Sequence, residues 1–291
     1  MPIPAPHPAR ARRRAVAAVA AVALCLAAAC HHAPSPAASG GPADVELRVL
    51  VLNMHAGTDA GGRDNLDRVA ALVRETGADV VLLQEVDSAV ARSGRVDQPA
   101  ALARRTGFHA RFGNALPYQG GGYGVAILSR WPVTDAHLVR LPVDPPQVRS
   151  GIEHEPRGVL HVTIAAPGGP LHVLNTHLDA SAGDHWRRQE ADSVLALALR
   201  VREGGAPVLV GGDFNSTPDS EVQARLRAGG LRDLWPTCGE GDGLTYPVAE
   251  PVKRIDYLFA AGATVTCARA RVLDSDASDH RGVLFTVHVA R

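Results

Sequence analysis

Lysine is nearly absent from this chain. Lys253 stands alone, and arginine supplies the rest of the 30 basic residues, which 30 acidic residues balance. Arg10, Arg12, Arg13 and Arg14 lie ahead of residue 30, where no acidic residue occurs, so the remainder carries 26 basic against 30 acidic residues, a formal −4. A protein that grips nucleic acid through its phosphates needs the opposite balance. No run of like charge forms a basic arm, and no aromatic–basic stripe offers a stacking platform for single strands. Cys-x-x-Cys and His-Glu-x-x-His are missing, which removes the common zinc patterns. Past Cys30 only Cys238 and Cys267 remain. In an exported domain they could close one disulfide, or they could stay as two reduced, half-buried thiols. The chain also lacks an internal repeat, a second domain boundary past residue 44, and an exposed aromatic or amphipathic segment for membrane insertion.

What is present begins with an arginine cluster followed by an alanine- and valine-rich run, Ala15 to Ala29. That run is too short to span a bilayer and reads as a signal peptide, residues 1–30. Ala27-Ala28-Ala29-Cys30 is similar to a bacterial lipoprotein cleavage site, with Cys30 as the lipid-bearing residue. An ordinary A-x-A cleavage site is the alternative. Residues 31–43, rich in Pro, Ala, Ser and Gly, read as a flexible tether, in which His31 and His32 are incidental. Residues 44–291 then form one domain with ample length for a core.

The domain is organised around Val208-Leu209-Val210-Gly211-Gly212-Asp213-Phe214-Asn215-Ser216-Thr217-Pro218. Apolar β-formers ending in two glycines read as a buried strand. Asp213 and Asn215, two apart, would share one side of an extended backbone. Further strands are expected at Glu46–Leu52, Asp79–Leu83, Tyr123–Ser129, His137–Val143, Arg157–Ala165, Pro170–Thr176, Ile255–Phe259, Ala263–Leu273 and Val283–Val289. Helices are expected at Asn65–Thr76, Gln98–Thr106, Asp184–Arg202 and Ser220–Ala228. Trp186, Val194, Leu195, Ala198 and Leu199 would form the inner face of the third. Strand pairs without helices alternate with helix crossovers, which suggests two packed sheets with helices outside. The first crossover sets Asn53 and Glu85 at the same end of neighbouring parallel strands.

Polar residues recur where apolar runs stop: Asn53, Glu85, His177, Asp213 with Asn215, Asp256, and Asp279 with His280. Each alone has a routine turn or edge explanation; together they mark a sheet rim. In order, Leu52-Asn53, Gln84-Glu85, Asn175-Thr176-His177, Gly211-Gly212-Asp213-Phe214-Asn215, Arg254-Ile255-Asp256-Tyr257 and Ser278-Asp279-His280 resemble the endonuclease/exonuclease/phosphatase superfamily, over Val45 to Val289. The resemblance implies a four-layer α/β/β/α sandwich with two packed mixed β-sheets. It implies a divalent cation on Glu85, with Asn53 and Asp279 nearby, and oxygen ligands favour Mg²⁺ or Mn²⁺. Asp213 would orient or deprotonate water, Asn215 would donate to a phosphoryl oxygen, and Asp256 would hold His280. The resemblance leaves open whether His177 or His280 is the acid. Arg157 and Asn175 are expected on the phosphate. One departure stands out: where deoxyribonuclease I carries a Glu paired with a catalytic His, this chain has Tyr123.

These residues lead to an exported, Mg²⁺-dependent phosphoesterase, monomeric, held at a membrane by a lipid on Cys30, and acting on a small-molecule or lipid phosphoester. The competing expectations are a secreted nuclease acting on DNA or RNA and a non-catalytic envelope binding protein. The loops Gly113–Gly122 and Asp144–Pro156 carry no readable code for substrate.

Overall fold

Runs of branched aliphatic residues, each stopped by a polar or glycine pair, become the strands of this protein. A computed structural model describes residues 44–146 and 155–290. Residues 1–43, with the expected signal, tether and Cys30, lie outside the described residues. In chain order the elements are β1 (Val45–Asn53), α1 (Leu66–Thr76), β2 (Val80–Ser88), α2 (Gln98–Thr106), β3 (His109–Tyr118), β4 (Gly121–Ser129), β5 (Val133–Leu141), β6 (Arg157–Ala166), β7 (Gly169–His177), α3 (His185–Arg202), β8 (Val208–Asp213), α4 (Glu221–Ala228), β9 (Leu231–Asp233), α5 (Trp235–Cys238), β10 (Asp256–Ala261), β11 (Val265–Val272) and β12 (Val283–Val289).

Two six-stranded sheets result, β11-β12-β1-β2-β4-β3 and β5-β6-β7-β8-β10-β9. Each has one parallel pair, β1 with β2 and β7 with β8, and the other pairs are antiparallel. The parallel pairs are the two that a helix crossover joins, α1 and α3 respectively, since a parallel neighbour cannot be reached by a tight turn. Alternation along the strands sends side chains to two different cores. Leu47, Val49 and Val51 meet Leu160, Val162 and Val173 between the sheets, whereas Leu50 and Leu52 pack outward with Val69 and Val73 of α1. On the far side Val208 and Val210 pack outward with Val194 and Ala198 of α3. The architecture is the four-layer α/β/β/α sandwich with two packed mixed sheets.

Local stops behave as their chemistry requires. Asp64 Oδ1 accepts from Leu66 N–H ahead of α1, and Gly77, with φ 62°, closes that helix in the left-handed region. Asp97 caps α2 through the N–H of Ala100. The buried face of α3 is Ala191, Val194, Leu197 and Ala198, with Arg187 and Glu190 at its first turns. Trp186, Leu195 and Leu199, expected on that face, are only half-buried. β3 runs through part of the stretch taken as a loop, along the edge of its sheet. Pro117 is tolerated there because an edge strand can spare an N–H. Cys238 and Cys267 form a disulfide with Cα atoms 5.8 Å apart, joining α5 to β11.

Candidate active site

The two parallel pairs end side by side, and their last residues build the site. Asn53 lies opposite Gln84 at the end of β1 and β2, and His177 lies opposite Asp213 at the end of β7 and β8. The carboxyl ends of parallel strands are where α/β sheets hold ligands.

Glu85 owes its position to a bulge. The β2–β4 register slips between Leu83 and Val86, and Glu85 takes φ 53°. A non-glycine residue in the left-handed region carries strain that its surroundings must hold. Asn175 does the holding. Its Nδ2 donates to the carbonyls of Leu83 and Ala126, both at 2.9 Å, and its Oδ1 accepts from Gln84 Nε2 at 2.7 Å. The two carbonyls are a facing pair at the slip, so the carboxamide serves backbone groups where the ladder is interrupted. Asn175 is fully buried. Its expected place on the phosphate is therefore corrected: its hydrogen-bonding capacity is used between the sheets, and none of it faces the cleft.

Asn53 joins the two sheets. Its Nδ2 donates to Glu85 Oε1 and to Asp213 Oδ2, each at 3.0 Å, and its Oδ1 accepts from the N–H of His55 at 3.1 Å. Two carboxylates on one side and an N–H on the other fix which end of the amide is nitrogen. Asn53 thus brackets Glu85 and Asp213 with its amide nitrogen, while its oxygen, the atom a cation would take, already accepts from the N–H of His55. Glu85 and Asp279 both line the cleft and bring carboxylate oxygens to it. Those oxygens are hard donors suited to a cation of the Mg²⁺ or Mn²⁺ kind.

Asp213 is 1% exposed. Gly212 precedes it with φ 139°, and a Cβ there would come within 1.9 Å of Thr176 O, so no other residue fits. Asp213 Oδ1 accepts the N–H of Asn215 at 2.9 Å. The two residues meet through this turn, with Asn215 at φ 48°, and not across an extended strand as the spacing suggested. Asp256 lies directly opposite Asp213 on β10. Burial first, and this neighbouring carboxylate second, push Asp213 up to about 7.

His280 stands between the two acids. Its Nδ1 is 2.9 Å from Asp256 Oδ2 and its Nε2 is 3.7 Å from Asp213 Oδ2. Burial alone would lower its pKa, but Asp256 and then Asp213 hold it at about 10, so it is an imidazolium. His177 is the opposite case. Burial, Arg157 and His280 lower it well below its ordinary value. Arg157 Nη1 donates to His177 Nδ1 at 3.0 Å. Arginine can only donate, so Nε2 carries the proton of a neutral ring and faces Asn215 Nδ2 at 3.0 Å. The same Nδ2 donates to the carbonyl of Leu178. Two donors therefore meet between His177 and Asn215, and an acceptor arriving in the cleft would satisfy both.

Two adjoining clefts open here. One, of about 490 Å³, is lined by Glu85, His177, Asp213, Asn215, Asp279 and His280 among others. The second, of about 460 Å³, shares Glu85 and His177 and adds Arg157, Arg92 and Tyr123. Asp213, Asp256 and His280 could also be read as a metal triad, since one ligand atom from each lies within 4.8 Å of the others. Asp256 Oδ2 is engaged by His280 Nδ1 and its Oδ1 is buried without a partner, whereas Glu85 and Asp279 line the open cleft.

Among the cleft residues that sequence reasoning overlooked, three matter most to the site's electrostatics. Tyr246 lays its ring 4.7 Å from that of His280, Lys253 lines the same cleft, and Arg92 lies over the rings of Tyr118 and Tyr123. Only Lys253 left a signal, by adjoining the Arg254-Ile255-Asp256-Tyr257 motif.

With this geometry in hand, comparison with known proteins is decisive: residues 50–280 match the Endonuclease/Exonuclease/phosphatase family. The chain belongs to that family. It is a phosphoric ester hydrolase, of a family whose enzymes use a divalent metal. It is 28% identical to the Escherichia coli K12 protein YbhP over 255 residues, covering 84% of this chain and 96% of that one. A crystal structure of an endonuclease/exonuclease/phosphatase from Beutenbergia cavernae superimposes with a TM-score of 0.69 at 26% identity, over 84% of this chain and 72% of the other. A shorter match, 30% over 124 residues, links 39% of this chain to 26% of the inositol phosphosphingolipids phospholipase C of Saccharomyces cerevisiae.

Proposed function

We propose that this protein is an exported, lipid-anchored phosphoesterase that uses Mg²⁺ or Mn²⁺ to hydrolyse a phosphodiester or phosphomonoester of a small molecule or lipid. The observation that carries the reading is the amide of Asn53, which holds Glu85 and Asp213 together across the two sheets. One carboxylate is thereby aimed at a cation and the other at water. Glu85 and Asp279 would hold the cation, which neutralises charge on the phosphoryl group and polarises it. Asp213, with its pKa near neutrality, accepts the proton of the attacking water. The His280 imidazolium, fixed by Asp256, stabilises the developing phosphorane charge and supplies a proton to the leaving oxygen. His177, neutral and protonated on Nε2, donates a hydrogen bond to a phosphoryl oxygen, with Asn215 beside it. Arg157, 7% exposed, sets the tautomer of His177 and adds positive charge behind the phosphate.

Several observations support the finer parts. The Cys238–Cys267 disulfide suits an oxidising compartment and so supports export. The name of the yeast relative supports a lipid phosphodiester, over the part of the chain that it matches. The −4 balance of the chain past residue 30 weighs against nucleic acid, and a monomer is the proposed state.

The test is hydrolysis of a chromogenic phosphodiester with Mg²⁺, with EDTA, and by Glu85→Ala and Asp213→Ala. Activity should require the cation and be lost in both variants; full activity in either would overturn the assignment. A panel of plasmid DNA, a nucleotide, an inositol phosphate and a phospholipid then ranks the substrate classes.

A further inference from the structure

Three imidazoles stand in a row on the second sheet, on the face turned away from the inter-sheet core. His137 on β5 is directly opposite His161 on β6, and His172 on β7 is opposite Thr163 of β6. Leu160, Val162 and Ile164 point into the inter-sheet core, so alternation sends His161 and Thr163 the other way. His172 is five residues before His177 on the same strand, about 16 Å along it and on its opposite face. The row is therefore separate from the catalytic cleft.

Contacts along the row tie the three rings together and limit which tautomers they can take. His161 Nδ1 is 3.2 Å from His137 Nε2, and His161 Nε2 is 3.1 Å from His172 Nδ1. Each neutral ring has one donor and one acceptor nitrogen. Asp135 Oδ2 is 3.5 Å from His137 Nδ1, which favours the tautomer with its proton on Nδ1 and its lone pair on Nε2. His172 Nδ1 meets both His161 Nε2 and Thr163 Oγ1 at 3.1 Å, so His161 can carry its proton on Nε2 and turn its Nδ1 lone pair toward His137. In the metal-free chain the 3.2 Å contact is an N–H···N hydrogen bond; in the tautomers above, two lone pairs would face the same space and an ion would replace that shared proton. That separation matches the bite of a tetrahedral ion, since two bonds of about 2.05 Å at the tetrahedral angle span about 3.3 Å.

We propose that His137 Nε2 and His161 Nδ1 form a two-imidazole site for a borderline transition-metal dication of the Zn²⁺ class, with water completing the coordination. Imidazole selects Zn²⁺, Cu²⁺ or Ni²⁺ over Mg²⁺, so this site and the oxygen-lined catalytic one sort their ions by donor chemistry. Asp135 and His172 act behind the ligands by holding tautomer and ring orientation, as carboxylates and acceptors do behind metal-bound histidines. His161 is kept neutral by burial and then by its two histidine neighbours, which push it down to about 4; it releases no proton on binding. His137 has half of its side chain exposed, which gives the ion and its waters a way in.

The test is calorimetric titration of ZnCl₂ into the metal-free protein in excess MgCl₂. One Zn²⁺ should bind, and Glu85→Gln should leave that binding intact. His137→Gln and His161→Gln should each weaken it by about tenfold or more, and Asp135→Asn should weaken it less. His161 is nearly buried, so His137→Gln on the half-exposed ring is the deciding variant. It should keep its circular dichroism and its Mg²⁺-supported hydrolysis. Unchanged Zn²⁺ affinity in His137→Gln, or loss of the titration in Glu85→Gln, overturns the site.

Discussion

At the scale of single residues, the site works by separating acids and bases that crowd together. Asp213 and Asp256 face each other across two strands, and His280 takes the positive charge between them. A carboxylate with a raised pKa is protonated, and useless as a base, below that value. kcat/KM should therefore climb with pH through an acid limb well above the ordinary carboxylate range, toward about 7. In Asp213→Asn that limb should vanish along with most of the rate; a pH–rate profile on the chromogenic diester reads both. Asn175 offers a second check. Asn175→Ala strips the partners from two buried carbonyls, so denaturant unfolding should show a loss of about 2–3 kcal/mol. The Mg²⁺ requirement should rise as the bulge under Glu85 relaxes, while KM for the ester stays put. A residue that touched phosphate would do the reverse.

At the scale of elements, strand ends were legible and strand edges were not. Glu85, His177 and Asp213 each follow an apolar run and Asp256 opens one, and a run bounded by a polar residue announces a sheet rim in the letters alone. The means of aiming them left no such mark. A bulge at Glu85 and a left-handed turn at Asn215 arise from pairing across strands, which sequence spacing does not record. β3 was unreadable for a related reason: an edge strand with Gly113, Asn114 and Pro117 has little apolar alternation to show. The partnership of Cys238 with Cys267 was one of two open readings, because thiol distance depends on how α5 packs on β11. Closing a loop with a sequence separation of 29 should contribute about 3–4 kcal/mol by chain entropy. Cys238→Ser with Cys267→Ser should lower the denaturation midpoint accordingly and leave kcat unchanged, since neither sulfur lines the catalytic cleft.

At the scale of the whole molecule, the two helix-joined parallel pairs give each sheet half of the active centre, and Asn53 closes the gap between them. The proposed anchor would set this centre close to a lipid surface on a short tether. In a bacterial host that processes lipoproteins, the full chain should sediment with membranes and Cys30→Ser should move it to the soluble fraction with its specific activity unchanged. Fractionation followed by a diester assay decides it.

The strand order carries one more consequence, for biosynthesis. β1, the first strand, is flanked by β2 on one side and by β12, the last, on the other. While the chain is being made, β1 keeps an unpaired edge until the final strand emerges, and Asp279 and His280 arrive only just before it. The first sheet must thus wait for β12 before it can close. The second sheet needs neither β1 nor β12, so it can form first, and the catalytic centre is complete only when β12 pairs with β1 and brings Asp279 and His280 to the rim.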